Sequence, residues 1–213
     1  MSINNHAVSD PTRQVCRICV FCGSSAGSKP TYADIAHRLG KAIARAGCPL
    51  VYGGGNVGLM GVVAEAAMSS GGRVVGIIPE RLFAMVEQPE LTELLIVRDM
   101  HERKALMQQK ADAFIAMPGG IGTMEELFEV WSWRYIGYHR KPVALLDVEG
   151  YYQGLLGFLD HMVQEGFLRQ DLRDDLLVDD DPESLVQRVI EAARTLDSAP
   201  ALKMPERRSS SRS

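Results

Sequence analysis

No apolar run in this sequence approaches the ~18 residues that a helical bilayer span requires. The opening stretch, "MSINNHAVSDPTRQ", also lacks the apolar core of a secretory signal, so a cytoplasmic protein without membrane attachment is expected. An excess of positive charge is missing too: 23 Lys and Arg stand against 27 Asp and Glu, for a net charge of −4. That balance argues against a nucleic-acid partner, because duplex affinity rests largely on cations that neutralise phosphates. Cysteine is scarce, with four in all, yet three fall in Cys16-x-x-Cys19-x-x-Cys22, a spacing that thiolate ligands often use. The surrounding "VCRICVFCGSS" reads as a strand, whose side chains alternate faces. Cys19 then points away from Cys16 and Cys22, and Cys48 lies beyond a helix. No metal site is expected, and the thiols read as small buried hydrophobes.

Hydrophobic residues make up 46% of the 213 and charged residues 23%, the balance of a soluble globular chain. One domain over residues 14–197 is expected, between flexible stretches at 1–13 and 198–213. Apolar, β-rich runs alternate with longer helical patterns, which predicts an α/β protein with a mostly parallel sheet. Strands are expected at 15–21, "PLVYGGG", "RVVGIIP", "LLIVRDM", "DAFIAMPGG" and "KPVALLD". Helices are expected in "YADIAHRLGKAIARAG", "GLMGVVAEAAMSSGG", "HERKALMQQKA", "GTMEELFEVWSWRYIG", "GYYQGLLGFLDHMVQEG" and "PESLVQRVIEAARTL", and residues 80–92 read as loop with a short helix. About six β-α repeats imply a Rossmann-like, doubly wound sheet with helices on both faces. Ligands of such sheets bind at the carboxyl ends of the strands.

Four strand-to-helix turns therefore matter: Gly23-Ser24-Ser25, Gly53-Gly54-Gly55, Met100 to Lys104, and Pro118 to Glu126. The glycines at 53–55 allow positive φ and close approach of a phosphate or sugar. No Gly-Lys-Ser/Thr follows, as a P-loop would need, and no G-x-G-x-x-G follows the first strand, so NAD binding is not supported. A tight turn with nothing bound is the alternative reading. "PGGIGTMEE" is the stronger signal, because Gly119, Gly120 and Gly122 can bare consecutive N–H groups and Thr123 adds a hydroxyl at a helix start. Thr123-x-x-Glu126 also fits a capping box, which would explain Glu126 without any function. Glu125 and Glu126 lie about 100° apart on a helix, so one of them faces the turn. A carboxylate placed beside an anion cradle suits a ligand that carries a phosphate at one end and a centre that becomes cationic at the other. "MHERK" supplies Arg103 and Lys104 near a helix start; solvent is the usual place for such side chains, but the dipole disfavours cations there, which hints at an anionic partner; His101 is left without a role. Trp131, Trp133, Tyr135 and Tyr138 read as core or subunit contact, with base stacking as the alternative.

Taken together, "VFCGSSAG", "LVYGGGNVGLMG", "VVGIIP", "MHERKALM", "ADAFIAMPGGIGTMEELFEVWSW" and "KPVALLD" followed by "GYY" closely resemble the LONELY GUY family of nucleoside 5′-monophosphate phosphoribohydrolases. The match spans roughly residues 15 to 195. The resemblance implies a homodimer that hydrolyses the N-glycosidic bond of a nucleoside 5′-monophosphate, often an N6-substituted AMP, without a cofactor. It assigns Arg103 and Glu126 to catalysis, and Gly119, Gly120, Gly122 and Thr123 to the phosphate loop. It further implies that Ser24, Ser25, Gly54, Gly55, Lys104, Glu125 and Ser132 line the substrate site. The stretch "RLFAMVEQPELTEL" is shorter than its counterpart in many relatives, and Glu87 is the nearest candidate there for a substrate-contacting glutamate. Similar sequences sometimes carry a lysine decarboxylase label, but nothing marks out a pyridoxal-phosphate lysine. The rival reading is a non-catalytic nucleotide-binding or sensing protein of the same fold.

Overall fold

The computed structural model describes residues 15–85 and 90–197. The stretches expected to be flexible at 1–13 and 198–213, together with Glu87, lie outside the described residues. Seven strands form one sheet in the order β4-β3-β2-β1-β5-β6-β7, and every neighbouring pair runs parallel. The strands are β1 (Ile18–Phe21), β2 (Leu50–Tyr52), β3 (Val74–Pro79), β4 (Glu93–Val97), β5 (Ala113–Ala116), β6 (Val143–Leu146) and β7 (Leu177–Asp179). The chain winds outward from β1 to β4, then returns to β1's other side with β5. The crevice between β1 and β5 is thus the topological switch point, where such sheets bind ligands.

The helices are α1 (Pro30–Arg45), α2 (Gly58–Ser69), α3 (Glu80–Phe83), α4 (Met100–Lys110), α5 (Ile121–Tyr135), α6 (Gln153–Gln164), α7 (Gln170–Asp174) and α8 (Pro182–Asp197). Strand alternation divides the interior into two layers. Ile18, Val20 and Cys22 face α1, α2 and α8, while Cys19 and Phe21 face α4, α5 and α6. In α1, Leu39 and Ile43 are fully buried and Ile35 packs against the same layer. Burying each of the first two contributes about 1.5–3 kcal/mol, which is what holds this helix to the sheet. Pro30 starts it, as the missing N–H of proline permits.

Two elements go beyond the sequence reading. The segment 170–179 forms the short helix α7 and the edge strand β7, giving seven strands where six repeats were expected. Neither five helical residues nor the half-buried Leu177-Val178-Asp179 offers a full period of hydrophobicity. The cysteine reading needs one correction as well. Cys19 does lie on the face opposite Cys16 and Cys22, but Cys48 is not remote: its thiol interacts directly with that of Cys16. The parallel pairing of Ile18 with Leu50 brings the two cysteines level two residues earlier.

Candidate active site

At the carboxyl ends of β1 and β5 the chain forms a cleft of about 230 Å³, lined by Gly23 to Gly27, Tyr32, Leu59, Pro118, Gly119, Gly120 and Tyr151. The two turns that wall it are tied together, since Gly23 N–H donates to Pro118 O and Leu59 N–H to Gly23 O. They pack so closely that a Cβ on Gly119 would lie 2.8 Å from Gly23 N. Gly58, at φ +54°, brings α2 equally close: a Cβ there would stand 2.4 Å from the Ser24 carbonyl carbon. Glycine serves the opposite purpose at 120 and 122. A Cβ at either position would meet nothing within 4 Å, so these residues leave open backbone at the start of α5.

That helix begins one residue earlier than the sequence suggested. Gly120 is its N-cap and makes no side-chain cap bond, so Thr123 is the third helical residue and the expected Thr123–Glu126 capping box does not form. The Thr123 hydroxyl instead occupies space that Gly119 leaves free, with Oγ1 2.1 Å from where a Cβ would sit. A reciprocal cap occurs at α4: Asp99 accepts from Glu102 N–H, and the Glu102 carboxylate reaches back to Arg98 N–H.

Thr123 and Glu126, three residues apart, share one face of α5 and are both buried. Glu126 Oε1 stands 3.4 Å from Arg103 Nη1. Arg103 comes from the first turn of α4, where its Nε donates to Ile77 O at the end of β3. Its guanidinium fills the space above Gly53, where a Cβ would lie 2.0 Å from Nη2. Met60 also borders this space, and Met100 Sδ lies 3.8 Å from Arg103 Nη1. Burial pushes the Glu126 carboxyl above its ordinary range, and neighbouring Arg103 only partly offsets that rise.

The anionic partners that the cations of "MHERK" called for include carboxylates of the protein itself. Arg103 has Glu126, and Lys104 forms ion pairs with Glu125 and Glu129. Those pairs hold the Lys104 ammonium above its usual range, the bond to Glu125 being the largest cause. Lys104 and Glu125 thus stand together on the flank of the α4–α5 contact, with Glu125 half exposed. His101 is exposed in the first turn of α4.

Of the other residues named from the sequence, Ser24 and Ser25 line the cleft. Gly54, at φ +73°, turns the chain against Ile77 and Ile78, and Gly55 lies beside Met60. Ser132 is exposed on α5, where its hydroxyl donates to Glu129 O. Six residues beyond Glu126, it lies about 9 Å farther along the helix axis. Trp131 is buried in the core, Trp133 meets Tyr138 edge to face, and Tyr135 and Tyr138 are exposed. The sequence reading missed Tyr32 and Tyr151 as walls of the cleft. Only the doubled tyrosine of "GYY" could have signalled the second, and nothing periodic marks the first.

A protein-family model described as "Possible lysine decarboxylase" matches residues 60–189. The chain is 53% identical over 153 residues to cytokinin riboside 5′-monophosphate phosphoribohydrolase LOG7 of Arabidopsis thaliana, a match that covers 71% of this chain and 70% of that protein. It is 48% identical over 174 residues to the cytokinin riboside 5′-monophosphate phosphoribohydrolase of Rhodococcoides fascians, covering 81% and 88% respectively. Among solved structures, the molybdenum cofactor binding protein of Rippkaea orientalis superposes with a TM-score of 0.62 at 24% identity, over 84% of this chain and 97% of that one. At that identity the likeness speaks for the fold alone.

Proposed function

The chain belongs to the cytokinin riboside 5′-monophosphate phosphoribohydrolase (LOG) family, and from that premise we propose how its own residues perform the reaction. It is an N-glycosyl hydrolase acting on nucleoside 5′-monophosphates, adenosine monophosphates with N6 substituents among them, and it releases free base and ribose 5-phosphate. The observation that carries the site assignment is the buried Arg103–Glu126 pair beside an open amide cradle.

The free N–H groups at the start of α5, over residues 119–123, take the 5′-phosphate, helped by the helix dipole. Ser24, Ser25 and the Thr123 hydroxyl add donors. Glu126, one turn farther on, faces the sugar, where positive charge develops at C1′ as the bond to the base breaks. It stabilises that charge and takes a proton from the attacking water, whose oxygen forms the new bond to C1′. The departing base carries away the electron pair of the old bond and gains a proton, and Arg103 sits where it can steady the base or the sugar. Gly54, Gly55, Lys104, Glu125 and Ser132 frame the rest of the site, with Lys104 and Glu125 acting as a joined pair.

A decarboxylase chemistry would need a lysine amine free to hold a pyridoxal-type cofactor. The residues do not fit that group, because no lysine lines the cleft and Lys104 is engaged by two carboxylates. A binding or sensing role alone is disfavoured by Glu126, since a carboxylate next to a phosphate cradle weakens binding unless it serves a reaction.

We also place the protein in the cytoplasm as a homodimer. Its four cysteines are free and buried, which suits a reducing compartment. Exposed Phe128, Tyr135, Ile136 and Tyr138 along α5 and its exit offer an apolar face to a second copy. No helix among the described residues is long and apolar enough to cross a membrane. The deciding experiment is incubation with AMP and with an N6-alkylated AMP, followed by assay of free base. Release of base from either supports the reading, and nucleotide binding without release overturns it in favour of a sensor.

A further inference from the structure

Three successive carbonyls lead from β5 into the cleft, and each is turned toward a donor in the body of the protein. Met117 O accepts from Tyr152 Oη at 2.6 Å, Pro118 O from Gly23 N–H at 3.0 Å, and Gly119 O from Tyr151 Oη at 2.5 Å. Two adjacent tyrosines thus grip the chain on either side of Pro118. A trans peptide sets its carbonyl and the next N–H in opposite directions. Pinning Gly119 O therefore aims the Gly120 N–H away from Tyr151, at the entrance to α5 where the helix dipole is positive.

The segment that carries the tyrosines is itself braced. Asp147 accepts from Tyr152 N–H and from the Gln153 side chain, and Glu149, at φ +51°, forms an ion pair with Lys29. The Tyr151 ring meets Tyr152 and Tyr32 edge to face at 5.0 and 6.1 Å, so its hydroxyl has little freedom to swing. A left-handed non-glycine residue is unfavourable locally and persists only where its surroundings hold it.

We propose that Tyr151 is a positioning residue for the phosphate cradle: its hydroxyl holds Gly119 O so that the Gly120 amide is aimed at the 5′-phosphate before the nucleotide arrives. The proposal rests on the phosphoribohydrolase reading and assigns Tyr151 to binding the phosphate, not to breaking the glycosidic bond. Tyr152, fully buried beneath it, anchors the same loop from the core.

The test compares the full-length protein with Tyr151→Phe, which keeps the ring contacts and removes only the hydroxyl. With AMP as substrate, KM rises about tenfold while kcat stays within about threefold, the pattern of lost binding common to ground and transition states. Affinity for ribose 5-phosphate, measured by calorimetry, falls by the same factor as KM rises, while the thermal midpoint stays close to that of the wild type. Equal ribose 5-phosphate binding by the two proteins, or a fall in kcat at constant KM, overturns the role of Tyr151 and leaves the hydrolase reading standing. If the wild type fails to bind ribose 5-phosphate at all, the role of Tyr151 is overturned, while base release alone decides the hydrolase reading. If it binds that compound but releases no base from any nucleotide, the hydrolase reading fails while the Tyr151→Phe binding comparison still decides the clamp.

Discussion

Arg103 and Glu126 meet at the carboxyl edge of the sheet, Nη1 to Oε1 3.4 Å apart, with only about a tenth of either side chain exposed (10% and 11%). They come from different helices, α4 and α5, and neither is placed by its own helix alone. Ile77 O holds the guanidinium from β3, and Glu126 lies on the buried stripe of α5 with Thr123, Leu127, Val130 and Trp131. Burying the pair costs energy, because desolvation raises the Glu126 carboxyl, and the catalytic role proposed for the two residues would offset that cost.

Glu126→Ala should therefore separate binding from turnover. Nucleotide affinity stays within a few-fold, while kcat falls at least ~10²-fold, the scale of a general base. Steady-state kinetics with AMP checks both numbers. Normal turnover would return Glu126 to a purely structural role.

A second consequence concerns pH. Because burial lifts the Glu126 carboxyl above the ordinary carboxylate range, and the proposed base must be ionised to accept a proton, the acid limb of kcat/KM should lie above that range too. Stability runs the other way. A group that binds its proton more tightly in the folded state stabilises the protein fully below its unfolded pKa, and that contribution is lost as pH rises through the folded value. Relative to Glu126→Gln, the wild type should gain thermal stability as pH falls through the same window in which its activity disappears. Parallel melting curves and rate profiles measure the two trends.

Two glycines near the site should fail differently when replaced by alanine. At Gly53 the added Cβ meets the tip of Arg103, a flexible side chain that can move. Gly53→Ala should fold but lose roughly tenfold or more in kcat/KM, as expected when a positioned group is displaced. At Gly58 the Cβ meets Ser24 backbone at φ +54°. Gly58→Ala should lower stability by about 1–2 kcal/mol or more from backbone conformation alone. Thermal unfolding together with kinetics tells the two mechanisms apart.

Far from the cleft, Asp112 receives Arg17 N–H, Nε and Nη2, each at 2.9 Å. Burial alone would raise the Asp112 carboxyl, but the bonds from Arg17 outweigh it and hold the group below its usual range. Its stabilisation is present above the unfolded pKa and is lost as pH falls through the lower folded one. Asp112→Asn should destabilise at neutral pH by about 1 kcal/mol, since the partly exposed pair is screened, and the difference should vanish in acid. Activity per folded molecule should not change.

Thr123 tests the correction to the helix start. If it capped α5, Thr123→Val would cost about 0.5–2 kcal/mol of stability through the lost cap. With Gly120 at the N-cap, the substitution should instead leave the melting temperature nearly unchanged and raise KM for AMP. Calorimetry and steady-state kinetics on one variant decide the point.

Strand alternation and helical periodicity are local properties, so the sequence by itself determined the parallel α/β layout, the opposed faces of Cys19 and Cys16, and the glycine-rich turns at the carboxyl ends of the strands. It also determined that Arg103 and Glu126 fall near two helix starts, because those starts follow strands that must end at the same edge of a parallel sheet. Which of the two glutamates turns inward was decided by the packing of α5, whose buried stripe runs through Thr123, Glu126, Leu127, Val130 and Trp131. The approach of Cys48 to Cys16, the pairing of Lys104 with Glu125 and Glu129, and the grip of Tyr151 and Tyr152 on Gly119 and Met117 likewise belong to the tertiary structure. Each joins residues whose separation along the chain carries no periodic signal, and only the packing of one element against another brings them within reach.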